Sequence, residues 1–319
     1  MQRHLDTPLA LGGRTRILMV EPGMTIRDVG AWLERRQLIE APHYLRLEMR
    51  RLHQAHRIQS GEYALTPGIT PRALIDLLLS GRVVQHRITL VEGWTFAQVR
   101  AAVAGHEALE HTLTGLAPED VMARLGRPGE HPEGRFFPDT YSFTRGSTDL
   151  QLFERAYRKM EETLAREWAT RAEGLPYADA YEALIVASIV EKETAVADER
   201  AKVAGVLVRR LGQGIKLQAD PTVIYGLGAT FNGNLTLSHL DGDTPYNTYR
   251  RSGLPPSPIA MTGLAALRAA LNPEPGDALY FVARGDGSHH FSATLAEHNE
   301  AVARYQLLGR NGKGEDAPP

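Results

Sequence analysis

The residues best suited to chemistry in this chain stand at the end of an apolar run. Ala183 to Val190 is eight apolar or small residues interrupted only by Ser188, and it leads straight into Glu191-Lys192-Glu193-Thr194. So short a run falls well below the roughly 20 residues of a membrane span, and it predicts a helix buried in a protein core. Helical spacing back from Glu191 falls on Ser188, Ala187 and Leu184, so its carboxylate leaves the helix on a largely apolar face. A carboxyl held there has a raised pKa because desolvation disfavours charge. Such a group stays protonated near neutral pH and can donate its proton. The alternative reading is a helix-end glutamate paired with Lys192 or Arg200. Glu193 lies about 200° around the same helix from Glu191 and is read as structural or as paired with an arginine.

Other chemistries find less support. The chain has no cysteine, which excludes disulfides, cysteine metal sites and a thiol nucleophile. His106-Glu107-Ala108-Leu109-Glu110-His111 approaches a zinc-protease motif, but its histidines are five apart, about 140° around a helix. It reads as a solvated helix end, and no metal is expected. No serine stands in a Ser-x-x-Lys or Gly-x-Ser-x-Gly context. Gly226-Leu227-Gly228 lacks the third glycine of a nucleotide loop. A net charge of −2 over 319 residues gives no basic footprint, so nucleic acid is not expected as a partner.

The elements that must position the acid are short and varied. Ile17-Leu18-Met19-Val20, Tyr63-Ala64-Leu65 and Ile88-Thr89-Leu90-Val91 each read as a strand followed by a turn, Gly23-Met24-Thr25, Gly68-Ile69-Thr70 and Gly93-Trp94-Thr95 respectively. In each the threonine caps a helix with apolar residues three and four apart. The three copies predict one small α/β building block used repeatedly. Their Gly-x-Thr turn resembles the LysM module, a small sugar-binding unit; a generic strand-turn-helix is the other reading. Leu150 to Arg171 predicts a long amphipathic helix packing on the Tyr181 to Val190 helix, with Leu152, Phe153, Ala156, Tyr157, Met160 and Leu164 as its apolar stripe. Leu279 to Ala283 predicts a buried strand, Leu295 to Leu307 a final helix capped by Thr294, and Gly309 to Pro319 a disordered tail. No segment reaches transmembrane length, and Met1 to Arg16 lacks the apolar core of a signal peptide.

One family joins these motifs in order. Ala187-Ser188-Ile189-Val190-Glu191-Lys192-Glu193-Thr194, Leu217-Gln218-Ala219-Asp220-Pro221-Thr222-Val223-Ile224-Tyr225-Gly226, Tyr246-Asn247-Thr248-Tyr249, Gly253-Leu254-Pro255-Pro256 and Tyr280-Phe281-Val282-Ala283 resemble the YceG-like family of endolytic murein transglycosylases. Upstream, Glu92-Gly93-Trp94-Thr95 and Phe137-Pro138-Asp139-Thr140-Tyr141 fit as well, so the resemblance covers nearly the whole chain. It implies an enzyme outside the cytoplasm, held in the bacterial inner membrane by one N-terminal helix, that cuts within nascent peptidoglycan strands. Peptidoglycan synthases are partners that the family implies. The chain departs from the family in having no N-terminal transmembrane helix, and it reads as a truncated form with Met1 supplied at the cut.

The fold expected is α+β: small N-terminal α/β units including a LysM-like module, then a mixed helical and sheet catalytic domain. Residues 1–16 would be a residual juxtamembrane segment, 17–140 the N-terminal region, 141–308 the catalytic domain and 309–319 the tail. The resemblance assigns the catalytic acid to Glu191. It would protonate the oxygen between N-acetylmuramic acid and N-acetylglucosamine, then take the proton of the muramoyl 6-hydroxyl as a 1,6-anhydro ring closes, with no cofactor. Ser188 is placed to bond the catalytic carboxyl or the sugar, and Gln218, Asp220, Tyr225, Asn247 and Tyr249 are candidates for gripping the sugar. Two other readings stay open: a hydrolase of the same bond with Asp220 as second carboxylate, and a non-catalytic LysM-type peptidoglycan-binding scaffold.

Overall fold

The computed structural model describes residues 2–54 and 57–307; the tail read as disordered lies outside these. The chain forms two compact units, one made of the residues up to Ile88 with His106–Thr112 and Tyr141–Asp149, the other of the remainder. The class is α+β, with helices and, among the described residues, three two-stranded sheets.

The first unit holds α1 (Gln2–Asp6), β1 (Arg16–Val20), α2 (Ile26–Arg35), α3 (His43–Leu52), β2 (Gly61–Leu65) and α4 (Pro71–Ser80). The Gly-x-Thr turns form as their residue types dictate. Gly23 and Gly68 adopt the left-handed φ values of 85° and 89° that suit a residue without Cβ. The Thr70 hydroxyl accepts the Ala73 N–H, and Asp28 accepts the Thr25 N–H in a capping box. Each cap stabilises its helix by about 1 kcal/mol. β1 and β2 pair antiparallel with Leu18 opposite Tyr63, and Leu18, Val29, Leu33, Leu45, Met49, Tyr63, Leu74 and Leu78 close one core. The building block is therefore not repeated whole: the second copy's strand completes the sheet of the first. Paired in this way, β1 and β2 satisfy each other's facing backbone groups.

The third copy supplies β3 (His86–Thr89), which pairs with β4 (Thr140–Phe143), and α5 (Phe96–Ala104), capped by Thr95 and Gln98. Residues 106–111, read as a helix end, form turns instead; His106 packs edge-on to Phe143 at 4.8 Å between ring centres.

The second unit continues through α6 (Pro118–Arg124), α7 (Asp149–Ala169), α8 (Ala180–Glu193), α9 (Arg200–Gly212), α10 (Asp220–Leu227), α11 (Leu237–Asp241), α12 (Leu264–Leu271), β5 (Tyr280–Ala283), β6 (His289–Ser292) and α13 (Leu295–Val302). All six stripe residues predicted for α7 are buried, and Met160 and Leu164 join the core around α8. α8 is the hub of that core. Every residue from Ala183 to Val190 is buried, because α9 and α12 pack against it through Val203, Ala204, Leu207, Leu267 and Ala270. At Gly205 of α9 an added Cβ would stand 2.5 Å from the Glu274 carbonyl oxygen, so this close approach requires glycine. Among the described residues no helix is long and apolar enough to cross a membrane.

Candidate active site

At its C-terminal end α8 carries Glu191 and Glu193 out of the core in different directions, as a separation of about 200° requires. The helix begins where Asp179 accepts the Glu182 N–H at 3.0 Å and ends at Thr194, whose backbone is extended.

Glu191 is half-buried, and its Oε2 accepts the N–H of Gly263 at 2.9 Å. Desolvation raises its pKa, the Gly263 N–H opposes that, and the nearby Glu92 carboxylate adds to the rise. Glu92 lies so close that a Cβ on Gly263 would stand 2.0 Å from its Oε1. Gly263 is the residue before α12, so Glu191 serves as an acceptor at that helix's N-terminus. Beside it Lys192 donates to the Gly93 carbonyl at 3.2 Å.

Glu193 opens instead into a cavity of about 580 Å³ that Arg210, Gln218, Asp220, Tyr249, Tyr280 and His289 also line. That volume suits a few sugar rings. Glu193 has partial access to solvent and no hydrogen-bond or ion-pair partner among the described residues. Desolvation, with the charge of Asp220 second, pushes its pKa up to about 8. The arginine partner read for it from the sequence is absent among the described residues. Asp220, at the start of α10, accepts the Tyr249 hydroxyl at 2.6 Å. Burial, then that bond to Asp220, raises the Tyr249 pKa and keeps the phenol protonated.

Gln218 holds a left-handed backbone, φ 53°, which costs a residue with a Cβ of order 1 kcal/mol or more. Arg210 compensates from beneath. Its guanidinium is buried and donates to the carbonyls of Leu279 at 2.6 Å, Lys216 at 2.9 Å and Leu217 at 3.0 Å, and to Gln218 Oε1 at 3.1 Å. Burial lowers its pKa, and none of these acceptors is a carboxylate.

The sequence-predicted residues thus separate. Gln218, Asp220 and Tyr249 come together at the cavity, with Glu193 and without Glu191. Ser188 reaches neither a carboxyl nor open space: it is fully buried, donates to the Ile185 carbonyl at 2.7 Å and accepts the Ile259 N–H at 3.0 Å. Asn247 likewise bonds to backbone groups. Its amide donates to the carbonyls of Leu240 at 2.9 Å and Gly242 at 2.6 Å, and its oxygen accepts the Tyr249 N–H at 2.9 Å. Tyr225 donates to Glu133 at 3.0 Å and packs edge-on to Tyr246. Glu133, which sequence reasoning passed over, is buried and has its pKa raised to about 7 by desolvation, against the Tyr225 and Phe96 donors. Arg210 and His289 were also missed. Arg210 lies on a helix face that reads as core, and His289 in a hairpin whose partners are distant in sequence.

The model of the YceG-like family matches residues 18–304 of this chain. A protein of Bacillus subtilis named endolytic murein transglycosylase is 29% identical over 329 residues, covering 98% of this chain and 90% of that one. One of the same name from Streptococcus pneumoniae is 25% identical over 90% of this chain, which spans only 57% of that longer protein. A crystal structure of a YceG-like protein from Listeria monocytogenes aligns with a TM-score of 0.58 at 27% identity, over 90% of this chain and 98% of the other.

Proposed function

The chain belongs to the YceG-like family, and from that premise and the acidic cavity we propose that it is an endolytic lytic transglycosylase of peptidoglycan with Glu193 as its acid. The observation that carries this reading is one carboxyl, raised to about 8, lining the same cavity as Gln218, Asp220 and Tyr249. At neutral pH Glu193 is protonated and donates to the glycosidic oxygen as the bond from muramoyl C1 breaks. The charge of Asp220 disfavours the carboxylate left behind, which makes it a base for the 6-hydroxyl proton. That hydroxyl oxygen bonds to C1 and closes the 1,6-anhydro ring; the proton returns to Glu193 and no water is consumed. Glu191, the acid expected from the motif, faces Gly263 and Glu92 and in this reading holds α12.

Outside the cytoplasm, where such strands lie, β1, α2, α3 and β2 would serve as the LysM-like docking module. The Gly23 and Gly68 turns and their shared core support that.

The test is mass spectrometry of uncrosslinked glycan strands incubated with the protein. Anhydromuramoyl ends are the expected product. Reducing ends would instead make it a hydrolase with Asp220 as the second carboxylate, and binding without new ends would make it a scaffold.

The pH dependence follows from the sign of the shift. Since the acid must be protonated in the free enzyme, kcat/KM holds up to about pH 8 and then falls tenfold per pH unit. An alkaline limb beginning near pH 5 would point to an unperturbed carboxylate and away from Glu193.

A further inference from the structure

The cavity has a second wall, contributed by β5, β6 and α13, on which Tyr280, Phe281, His289 and His298 stand. His289 is the most firmly held of these. Its backbone N–H donates to Glu199 Oε1 at 2.8 Å, and its ring Nδ1 meets Glu199 Oε2 at 2.7 Å. One residue thus engages both oxygens of a carboxylate that is itself largely buried in the turn before α9. Phe281 stands perpendicular to the ring with centres 5.5 Å apart, and Phe291 packs at 6.4 Å.

This clamp decides which ring nitrogen is left over. Desolvation raises the Glu199 pKa, but the His289 N–H and ring together outweigh it and hold the carboxyl below its usual range. An ionised carboxylate can only accept, so Nδ1 carries the hydrogen between them and Nε2 is the ring nitrogen left for another partner. Nε2 has no partner among the described residues, although His289 lines the cavity. A hairpin needing only a staple to α9 would be served by the backbone bond; the oriented ring adds a second polar nitrogen to a residue that lines the cavity. Sugars present hydroxyl and acetamido N–H donors of the matching kind.

We propose that the Glu199–His289 pair is a substrate-positioning device, in which His289 accepts a hydrogen bond from a hydroxyl or acetamido group of the glycan. It rests on the reading of this cavity as the glycan site. The pair takes no proton from the reaction; it fixes the sugar against the wall facing the acid.

The test uses the full chain and a soluble oligosaccharide of alternating N-acetylglucosamine and N-acetylmuramic acid. His289→Asn keeps an amide donor near the Nδ1 position and removes Nε2, so it retains the clamp on Glu199. In a Glu193→Gln background, His289→Asn is expected to weaken oligosaccharide binding about five- to tenfold, the loss of one neutral hydrogen bond. In the otherwise unmodified enzyme it raises KM by a similar factor, leaves kcat within about twofold, and leaves the melting temperature in place. Unchanged Kd and KM in a folded variant would overturn the proposal. Should His289→Asn fail to fold, nitrogen NMR of the histidine side chains in the Glu193→Gln protein decides: the His289 Nε2 resonance must move on saturation with oligosaccharide, and a fixed resonance overturns the assignment. Persistent cleavage by Glu193→Gln would refute the assigned acid instead, and is read from products rather than from binding.

Discussion

Replacing Glu193 with Gln is expected to lower the rate of strand cleavage by at least about 10³-fold, within the range that loss of general acid–base catalysis commonly produces. The amide keeps the size of the side chain and its place in the cavity but can neither give nor regain the proton. Glu191→Gln is the internal control. Its amide oxygen still accepts the Gly263 N–H, so cleavage is expected to fall less than about tenfold. The opposite ranking, measured by release of anhydromuramoyl ends, would return the acid to Glu191. A thermal melt separates chemistry from folding. Glu193 has its pKa raised to about 8 in the folded chain, against roughly 4.3 when unfolded. Its ionisation therefore opposes folding, a penalty that builds as pH rises through that interval and is absent below it. Glu193→Gln should consequently melt higher than the unmodified protein at pH 8, with the difference vanishing near pH 4.

The second large effect is structural in origin and catalytic in outcome. Arg210→Ala leaves the carbonyls of Leu279, Lys216 and Leu217 without their buried donor and removes the guanidinium packed 4.9 Å from the Tyr280 ring centre. Each unpartnered buried group costs about 1–3 kcal/mol, so a loss of about 3 kcal/mol or more is expected. For a unit of this size that lowers Tm by roughly 6–12 °C. Cleavage falls with it even well below the melt, because Gln218 loses the bond that steadies its left-handed backbone. Arg210→Lys should rescue little, since one ammonium cannot reproduce a planar fork of donors. A melt within 2 °C of the unmodified protein would show that these carbonyls find other donors.

Local signals were legible in the sequence, and so was the family. The Gly-x-Thr turns, the stripe of α7, the buried run of α8 and the Thr294 cap depend on residues a few positions apart, and each formed as its spacing dictates. The preference for Glu193 in the proposed reading comes from another source. A helical-face argument needs a polar face for contrast, and α8 is buried on all sides from Ala183 to Val190, so the face behind Glu191 was no more apolar than any other. What distinguishes Glu193 is Asp220, Tyr249 and Tyr280, brought to it from 27, 56 and 87 positions away. Ser188 and Asn247 illustrate a related point. A polar residue in a motif looks like a grip until the backbone groups that it satisfies are seen.

A helix enclosed by its neighbours over two full turns has no hinge. The amide hydrogens of Leu184 to Val190 should exchange with solvent only when the whole unit opens. The facing wall differs: Tyr280 and Phe281 are half-buried, and Leu295 is 55% exposed. Under the proposed reading, admission and release of a chain would fall to the hairpin and α13, on the timescale of surface segments, while the proton would come from the end of the enclosed helix. Turnover would then be governed by how fast the β5–β6 wall yields its product, and stiffening that wall would slow the enzyme without touching its acid.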